Sequence, residues 1–494
     1  MSSPISRRQF LHQSTLIGAG LSVVPSHTIS GLGHRPPSDK LNIAGIGIGG
    51  KGRWNIAAME TENIVALCDV DQAYAQPVFE KYPRARRYTD WRILFDEMGK
   101  SIDAVMISTP DHTHAIIAAS AMTMNLHVFC QKPLTHSIYE SRLLTDLAKK
   151  YDVATQMGNQ GNSGHGVRQL CEWIWNGEIG EVKEAHAWTN RPLWPQGQQR
   201  PDQVMIVPDS LDWDLFLGPA PYRPYHMAYT PWNWRGWWDF GTGAFGDMAC
   251  HVLDPIYQAL KLGAPDSIQG NSSPMNYETA PQTEVVHFKF PAREALEAVQ
   301  LPPVTVHWYD GGLMPERPEG LGDDESLIND GMGGCMFVGS RDTLICDTGG
   351  FNPRLLSGRI PDVPPSLRRI EGATGYIDGP HEQDWIRACK ESPENRVEPS
   401  AHFGYAGPFN EMVLLGVLAI RLQNLEKALQ WDAENMEFTN IGPHEELGLI
   451  RSVQEQRQGG VVRHHTEWIR LPAMATAREY IRHDYREGWS LPQL

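Results

Sequence analysis

Asp247 and His251 stand four positions apart in the segment GDMACHVLD, and their side chains are suited to moving a proton. On a helix, residues at i and i+4 share one face, so the carboxylate and the imidazole would be neighbours. Oxidation of an alcohol requires a base for the hydroxyl proton, and a histidine coupled to a carboxylate suits that task near neutral pH. The same spacing also occurs in buried pairs that only brace a helix, so the pattern alone leaves both interpretations open.

A glycine-rich segment, GIGIGGKG, lies between the apolar run LNIAGIG and the helix-forming sequence RWNIAAM. Gly47, Gly49 and Gly52 have the GxGxxG spacing, which permits a tight turn, close approach of the backbone to a pyrophosphate and close helix–strand packing. A frame that begins at Gly45 also fits, but the later frame leaves a full strand ahead of the turn. Gly50 lies inside this loop, and the N-terminus of the following helix would bind the phosphates.

The next apolar run, NIVALCDVD, contains the acid expected to bind the adenosine ribose. Asp69 stands about 20 residues beyond Gly47, which is the usual distance for this contact. No arginine follows it immediately, so the sequence favours NAD over NADP as the cofactor.

Three further apolar runs, DAVMIST, LHVFC and VATQMGN, alternate with helical segments, which predicts a doubly wound parallel sheet. In such a sheet, ligands bind at the carboxyl ends of the strands. The residues found at or just beyond these ends are Thr109, Pro110, Lys132 and Asn159.

The motifs GIGGKG, CDVD, STPDHTHA, QKPLTHS and GDMACHVLD occur in an order that resembles the Gfo/Idh/MocA family of glucose–fructose oxidoreductase and inositol dehydrogenase. The resemblance covers most of the chain beyond residue 37. It implies an α/β protein with an N-terminal Rossmann domain, a doubly wound parallel sheet, over residues 38–160. It further implies a C-terminal α/β domain with an open, mostly antiparallel sheet over residues 161–494. Because that open sheet often forms oligomer contacts in the family, we expect a homo-oligomer.

The resemblance also implies roles for individual residues. His251 would be the base, Asp247 its partner in proton transfer, and Lys132 a hydrogen-bond donor to the reacting oxygen. The family's usual Glu-Lys-Pro stands here as Gln131-Lys132-Pro133, so the lysine is kept, the charge beside it is lost, and the peptide bond before Pro133 would be cis. The residues expected to bind the cofactor are Gly47, Gly49, Gly50, Gly52, Asp69, Thr109, Pro110, His114, Lys132 and Asn159.

The segment TPDHTH raises a second possibility, since His112 and His114 could bind a metal ion. Further ligands have no obvious source in the local sequence, so no metal site is expected. Asp111 or Thr113 could instead start a helix. The resemblance implies that His114 lies beside the nicotinamide.

Aromatic residues crowd the sequence YRPYHMAYTPWNWRGWWDF, from Tyr222 to Phe240, just ahead of Asp247. Such residues fill protein cores, but their flat faces also stack on sugars. We expect the second use here, which predicts a carbohydrate substrate. The residues expected to contact it are His165, Arg191, Arg235, Trp238 and His381.

The N-terminal segment SRRQFL, followed by the modest apolar run STLIGAGLSVV, matches a twin-arginine export signal. The alternative is a chance Arg-Arg pair ahead of an ordinary helix. We expect residues 1–37 to be a signal and linker recognised by the twin-arginine translocase, and the protein to be periplasmic or otherwise extracytoplasmic. That route exports folded proteins, so a cofactor can be loaded beforehand.

Composition excludes several classes of partner. A formal net charge of −16 leaves no basic face for phosphates, which argues against nucleic acid. We find no apolar stretch of the roughly 18–20 residues that a membrane helix needs, so no membrane partner is expected. The seven cysteines form no CxxC pair, which argues against a disulfide framework or a structural zinc site.

These observations together predict an exported NAD-dependent oxidoreductase with tightly bound NAD. It would oxidise a secondary hydroxyl group of a sugar, polyol or glycoside. One alternative is a redox-neutral NAD-dependent glycosidase that oxidises its substrate transiently and so drives elimination. A second alternative is a non-catalytic carbohydrate-binding protein that keeps NAD as a structural element.

Overall fold

A computed structural model of the chain describes residues 39–375 and 378–442. The predicted export signal and the tail from residue 443 lie outside the described residues. From Leu41 onward, the described residues belong to one compact unit that contains two β-sheets.

The first sheet has six parallel strands in the spatial order β3-β2-β1-β4-β5-β6. Apolar residues pack on both of its faces, which explains the continuous apolar runs in the sequence and confirms the predicted Rossmann sheet. In chain order, the elements are β1 (Asn42–Ile46), α1 (Gly52–Ala58), β2 (Asn63–Cys68), α2 (Gln72–Lys81), β3 (Arg86–Tyr88), α3 (Trp91–Met98), β4 (Ala104–Ile107), α4 (Asp111–Thr123), β5 (His127–Cys130), α5 (Ile138–Tyr151) and β6 (Thr155–Met157).

Local sequence signals determine where the helices of this layer begin. Ser137 caps α5 by accepting a hydrogen bond from the Glu140 N–H, and the Glu140 carboxylate accepts one from the Ser137 N–H. Leu143, Leu144 and Leu147 then form the buried face of the helix.

The second sheet has nine strands in the order β13-β12-β11-β7-β10-β9-β8-β14-β15. All neighbours are antiparallel except β7 and β10, which confirms the predicted open, mostly antiparallel sheet. Its strands and the accompanying helices are α6 (His165–Trp175), β7 (Val182–Thr189), α7 (Trp213–Leu217), α8 (Gly243–Val252), α9 (Asp254–Ala259), β8 (Ser267–Ser272), β9 (Glu284–Phe290), β10 (Val304–Tyr309), β11 (Gly333–Gly339), β12 (Thr343–Asp347), β13 (Arg354–Leu355), α10 (Pro380–Cys389), α11 (Phe403–Arg421), β14 (Leu429–Asp432) and β15 (Glu437–Phe438).

Helix α11 packs against α5 of the first layer and against β8, β9 and α8 of the second. Among the described helices it is the one long and apolar enough to cross a membrane, so our expectation that no apolar stretch is long enough is wrong. However, 83% of its apolar window is buried inside the protein. Its apolar surface is therefore explained by the core that it shares with both sheets.

Candidate active site

A cavity of about 960 Å³ lies at the carboxyl end of the parallel sheet, where ligands bind in open α/β folds. Its walls include the glycine loop after β1, the ends of β2, β4 and β5, and helix α8. Its volume is near the upper end of the range for small-molecule sites. The predicted residues that line it are Gly47, Gly50, Asp69, Thr109, Pro110, Lys132, Arg191, Arg235, Asp247 and His251.

The glycine loop has the shape that the later GxGxxG frame predicts. Strand β1 ends at Ile46, and Gly47 follows with a φ of +77°, where its N–H donates to the Cys68 carbonyl at 2.9 Å. A Cβ on Gly52 would lie 2.0 Å from the Gly47 carbonyl oxygen, and one on Gly49 would lie 2.4 Å from the Tyr74 ring. These three glycines are therefore required by the fold of the loop itself.

Gly50 differs from its neighbours, because a Cβ there would meet only the Tyr74 side chain, at 3.4 Å. The protein has room for a side chain, but Gly50 lines the cavity and keeps the backbone open to it. That opening fits the pyrophosphate of a dinucleotide. Asn159, which was also predicted to bind the cofactor, does not line the cavity; it is 1% exposed and its amide has no hydrogen-bond partner among the described residues. A buried amide of this kind normally bonds a ligand or water.

Asp69 lies where the adenosine ribose would be bound. Its Oδ2 accepts a hydrogen bond from the Gly49 N–H at 2.8 Å, and its Oδ1 accepts one from the Asp71 N–H at 3.0 Å. Burial raises the pKa of Asp69 to about 6, against the opposing effect of these hydrogen bonds. At neutral pH it remains a carboxylate, which can accept hydrogen bonds from hydroxyl groups.

Lys132 and Asp247 join the two sides of the cavity. The Lys132 Nζ donates to the Asp247 Oδ1 at 2.7 Å and to the Asp247 backbone oxygen at 3.2 Å. The Arg235 Nε lies 3.4 Å from the same carboxylate oxygen. Burial acts to raise the pKa of Asp247, but the charges of Lys132 and Arg235 outweigh it and the pKa is lowered. Asp247 is therefore ionised at neutral pH.

His251 lies one turn beyond Asp247 on α8, and both side chains line the cavity. It is 5% exposed. Burial first, and then the charge of Lys132, hold the pKa of His251 well below its ordinary value. The imidazole is therefore neutral at neutral pH, which is the form able to take a proton.

Asp111 does not line the cavity, but its charge interacts with Asp247, Arg235 and Lys132, a role that the sequence analysis missed. It is the first residue of α4 and is 4% exposed, and the Thr242 hydroxyl donates to its Oδ2 at 3.0 Å. Burial, followed by the charge of Asp247, raises the pKa of Asp111 to about 7. The available signal was its position at the start of the helix that follows β4, near the edge where a parallel sheet presents its ligands.

The structure revises the interpretation of the two histidines in TPDHTH. The ring nitrogens of His114 lie 2.8 Å from the backbone oxygens of Pro133 and Thr109, and His114 does not line the cavity. It therefore positions the loops that carry Thr109 and Lys132. The ring nitrogens of His112 likewise face two backbone oxygens, at 3.1 and 3.3 Å. These contacts leave neither ring available to a metal ion.

The aromatic segment contributes residues both to the cavity wall and to the core. Trp232 and Trp234 line the cavity, and the Arg235 guanidinium lies 4.0 and 4.3 Å from their ring centroids. Trp238, in contrast, is 2% exposed and belongs to the main core, with Arg421 over its ring. The predicted contact of Trp238 with the substrate is therefore replaced by a packing role.

Two other residues predicted to contact the substrate do not line the cavity. The His165 Nε2 lies 2.7 Å from the Ile370 backbone oxygen. His381 is buried, with its ring nitrogens 2.6 Å from the Ser163 hydroxyl and 2.7 Å from the Met157 backbone oxygen. Both rings are held by the chain itself.

Hydrogen bonds connect Gln131, the residue beside Lys132, to a buried acid. The Gln131 Nε2 donates to the Asn55 Oδ1 at 3.1 Å, and the Asn55 Nδ2 donates to the buried Glu382 carboxylate at 2.7 Å. Glu382 thus supplies a carboxylate that is linked to Gln131 through Asn55. The Lys132–Pro133 peptide bond is cis, as predicted.

Two models of the Gfo/Idh/MocA oxidoreductase family match parts of the chain. Residues 40–159 match the family model described as "Oxidoreductase family, NAD-binding Rossmann fold". Residues 176–286 match the model described as "Oxidoreductase family, C-terminal alpha/beta domain". The first match confirms NAD as the predicted cofactor class, and the residues of the loop and Asp69 fit it.

Curated relatives include enzymes of two kinds. The chain is 30% identical to inositol 2-dehydrogenase of Salmonella typhimurium over 151 residues, which cover 30% of this chain and 44% of the relative. It is 24% identical to levoglucosan dehydrogenase of Pseudarthrobacter phenanthrenivorans over 41% of this chain and 43% of the relative. It is 26% identical to alpha-N-acetylgalactosaminidase of Shewanella oneidensis over 37% of this chain and 45% of the relative. The chain thus matches less than half the length of each of these relatives.

Solved structures share the fold over most of the chain. The WlbA dehydrogenase of Chromobacterium violaceum, solved with NADH and UDP-GlcNAcA, has a TM-score of 0.53 at 15% identity and covers 80% of this chain and 97% of its own. An inositol dehydrogenase homolog of Azotobacter vinelandii, solved with NADH and myo-inositol, has a TM-score of 0.51 at 16% identity, covering 77% and 95%. At these identities the likeness concerns the fold alone.

Proposed function

We propose that this protein is an NAD-dependent oxidoreductase that oxidises a secondary hydroxyl group of a sugar, polyol or glycoside. The observation that carries the proposal is the pairing of Lys132 with Asp247, at 2.7 Å, beside a neutral His251 in one cavity. The names of the inositol and levoglucosan dehydrogenases support a polyhydroxylated substrate.

The residues divide the chemistry among them. Bound NAD supplies the acceptor for the hydride that leaves the carbinol carbon. The neutral His251 takes the hydroxyl proton, and Lys132 donates a hydrogen bond to the oxygen on which negative charge develops. Asp247 orients Lys132 and offsets the positive charge that His251 acquires. Trp232, Trp234 and Arg235 form the wall against which a sugar ring would stack.

A redox-neutral glycosidase is the second candidate, and the match to alpha-N-acetylgalactosaminidase favours it. In that reaction, oxidation of a hydroxyl group acidifies the neighbouring C–H bond, and loss of this proton expels the glycosidic group. Water then adds across the resulting double bond, and return of the hydride to the carbonyl completes a net hydrolysis with no net change of oxidation state. The same three residues serve both reactions, whereas a non-catalytic binder would have no use for a coupled base and cation.

The deciding experiment uses protein purified without added nucleotide. The protein is denatured to identify any released dinucleotide, and the intact protein is mixed with sugars, polyols and aryl glycosides while absorbance is followed in the reduced-nicotinamide band. Durable reduction by a polyol or sugar supports the dehydrogenase. Release of the aglycone without durable reduction supports the glycosidase. A protein that binds no NAD would refute both.

We further propose that the protein is exported by the twin-arginine route, with NAD bound before translocation, and that it forms a homo-oligomer. SRRQFL and the apolar run behind it support export. In a Gram-negative host, replacing Arg7 and Arg8 by lysine should retain the protein in the cytoplasm, whereas the unaltered chain should reach the periplasm with NAD bound. Light scattering on the purified protein tests the oligomer, and a monomer mass would refute it.

A further inference from the structure

Three histidines and a glutamate form a cluster on the second sheet, and none of them lines the cavity. His307 on β10 pairs with His186 on β7 at one side and with His287 on β9 at the other. Glu184 precedes His186 by two residues and so lies on the same face of β7. On β9, the residues flanking His287, Val286 and Phe288, are fully buried. The histidine row therefore lies on the face opposite the main core and beside the smaller cluster that contains Trp188 and Met336.

The spacing of the ligand atoms is that of a metal site. The Glu184 Oε1 lies 3.2 Å from the His186 Nε2 and 3.3 Å from the His307 Nε2. All three groups bring an atom within 4.8 Å of the others. In a tetrahedral zinc site, bonds of about 2.0–2.2 Å place neighbouring ligand atoms roughly 3.2–3.6 Å apart. Two of the three ligand-to-ligand distances therefore already have the required length.

The remaining ring nitrogens are also arranged as metal ligands require. The His307 Nδ1 lies 2.7 Å from the His287 Nδ1, and the His186 Nδ1 lies 3.4 Å from the Tyr309 hydroxyl. A metal-bound histidine usually donates its second ring N–H to such an outer partner, which fixes the orientation of the ring.

We propose that Glu184, His186 and His307 bind a divalent transition-metal ion of the Zn²⁺ class, with the fourth position open to solvent. Two imidazoles and one carboxylate favour Zn²⁺ over Mg²⁺ or Ca²⁺, which prefer oxygen ligands. The ion joins β7 to β10, the one parallel pair among the described strands of this sheet. The site is separate from the proposed oxidoreductase chemistry.

The test measures zinc affinity on the full chain, purified through a streptavidin-binding tag because a polyhistidine tag would itself bind zinc. After treatment with EDTA, the protein is titrated with Zn²⁺ in competition with a chromophoric chelator. One tight equivalent is expected, undisturbed by excess Mg²⁺. His307→Ala should weaken affinity more than about 100-fold, and His287→Ala, which removes an outer partner, about 10- to 100-fold.

Glu184→Gln guards against loss of fold, because this side chain is 49% exposed and its replacement keeps the shape. It should weaken zinc affinity at least about 10-fold while circular dichroism stays unchanged. His402→Ala, and the pair His464→Ala with His465→Ala, should keep the affinity of the wild type. The proposal is overturned if the wild type binds no equivalent of zinc, if Glu184→Gln binds like the wild type, or if the tail pair abolishes binding.

Discussion

The glycine-loop wall of the cavity presents bare backbone at Gly47 and Gly50, whereas the wall formed by α8 and the aromatic loop presents charged and aromatic side chains. On the first wall, Gly47 and Gly50 shape a cradle, and the Asp69 carboxylate beside it accepts hydrogen bonds from backbone N–H groups. On the second, Asp247 is coupled to two cations and His251 is kept neutral. Binding therefore rests on local shape, and reactivity on charges brought together by the whole fold.

The largest effect should come from the second wall. His251→Ala removes the base, so kcat should fall about 10²- to 10⁴-fold. Because this ring does not form the glycine-loop wall, the amount of NAD bound per chain should stay unchanged. Steady-state kinetics and nucleotide analysis measure the two quantities, with His402→Ala as the control. Undiminished turnover would remove His251 from the mechanism.

Lys132 connects the two walls, so its replacement should change both kcat and the pKa of Asp247. In Lys132→Met, loss of the hydrogen bond to the developing alkoxide should lower kcat about 10²- to 10³-fold. Burial would then act on Asp247 with less opposition, and its pKa should rise. The pH–rate profile should consequently gain a dependence on the ionisation of Asp247 that Lys132→Arg, which keeps the cation, does not show. Identical profiles for the two variants would contradict the coupling.

On the first wall, Asp69→Ala should weaken NAD binding about 10- to 100-fold through loss of a charged acceptor. At saturating NAD, kcat should change little, which is the reverse of the His251 result. Titration of stripped protein with NAD gives the affinity. Asp90→Ala is the matched control, since Asp90 caps α3 at the same end of the sheet but does not line the cavity. Full nucleotide retention in Asp69→Ala would refute the ribose assignment.

Alanine substitutions at Gly50 and Gly52 should distinguish a glycine needed for NAD binding from one needed for the fold. Gly50→Ala leaves the fold within about 0.5 kcal/mol, since its Cβ meets only Tyr74 at 3.4 Å, yet it should weaken NAD binding. Gly52→Ala should lower the free energy of unfolding by more than about 2 kcal/mol, because its Cβ would lie 2.0 Å from a backbone oxygen. Chemical denaturation of the NAD-free variants measures both. Equal stabilities would undermine the distinction.

The smallest effect concerns pH. Because the pKa of Asp111 is raised to about 7, its charge is lost as the pH falls through neutrality, which leaves the positive charge of Lys132, a charge that opposes protonation of His251, less compensated. The rate should drop several-fold across this range in the wild type and stay flat in Asp111→Asn. Only the wild type must ionise a buried carboxyl, so the variant should also gain relative stability as the pH rises through about 7. If the fall in rate at acid pH persists in Asp111→Asn, a group other than Asp111 causes it.

Elements encoded by short continuous stretches could be predicted from the sequence. The strands of the parallel sheet, the glycine frame and the position of Asp69 depend on neighbours in the chain. The role of Asp111 depends on Thr242 and Asp247, far along the sequence, and could not be inferred from a helix-start pattern. The predicted domain boundaries and residue roles stay predictions, although ten of the predicted residues meet in one cavity.

The histidine cluster, too, could not be predicted from the sequence. His186, His287 and His307 come from three strands, and only strand register aligns them. Their spacing in the sequence has no metal-binding signature. Residues that meet through pairing of distant strands are therefore invisible to motif analysis, however clear their chemistry is in three dimensions.

The position of α11 has a consequence for how ligands enter and leave. Buried residues of both sheets and of this helix, among them Phe409 and Met412, belong to a single continuous apolar core. A hinge motion that separated the two sheets would expose this core to water, at a cost of about 25 cal/mol for each Å² of apolar surface exposed. Opening and closing by movement of whole sheets is therefore costly, and we expect ligand entry and exit to depend on local movement of surface loops. The rate at which a nucleotide enters and leaves would therefore be set by these loops and not by movement of the two sheets relative to each other.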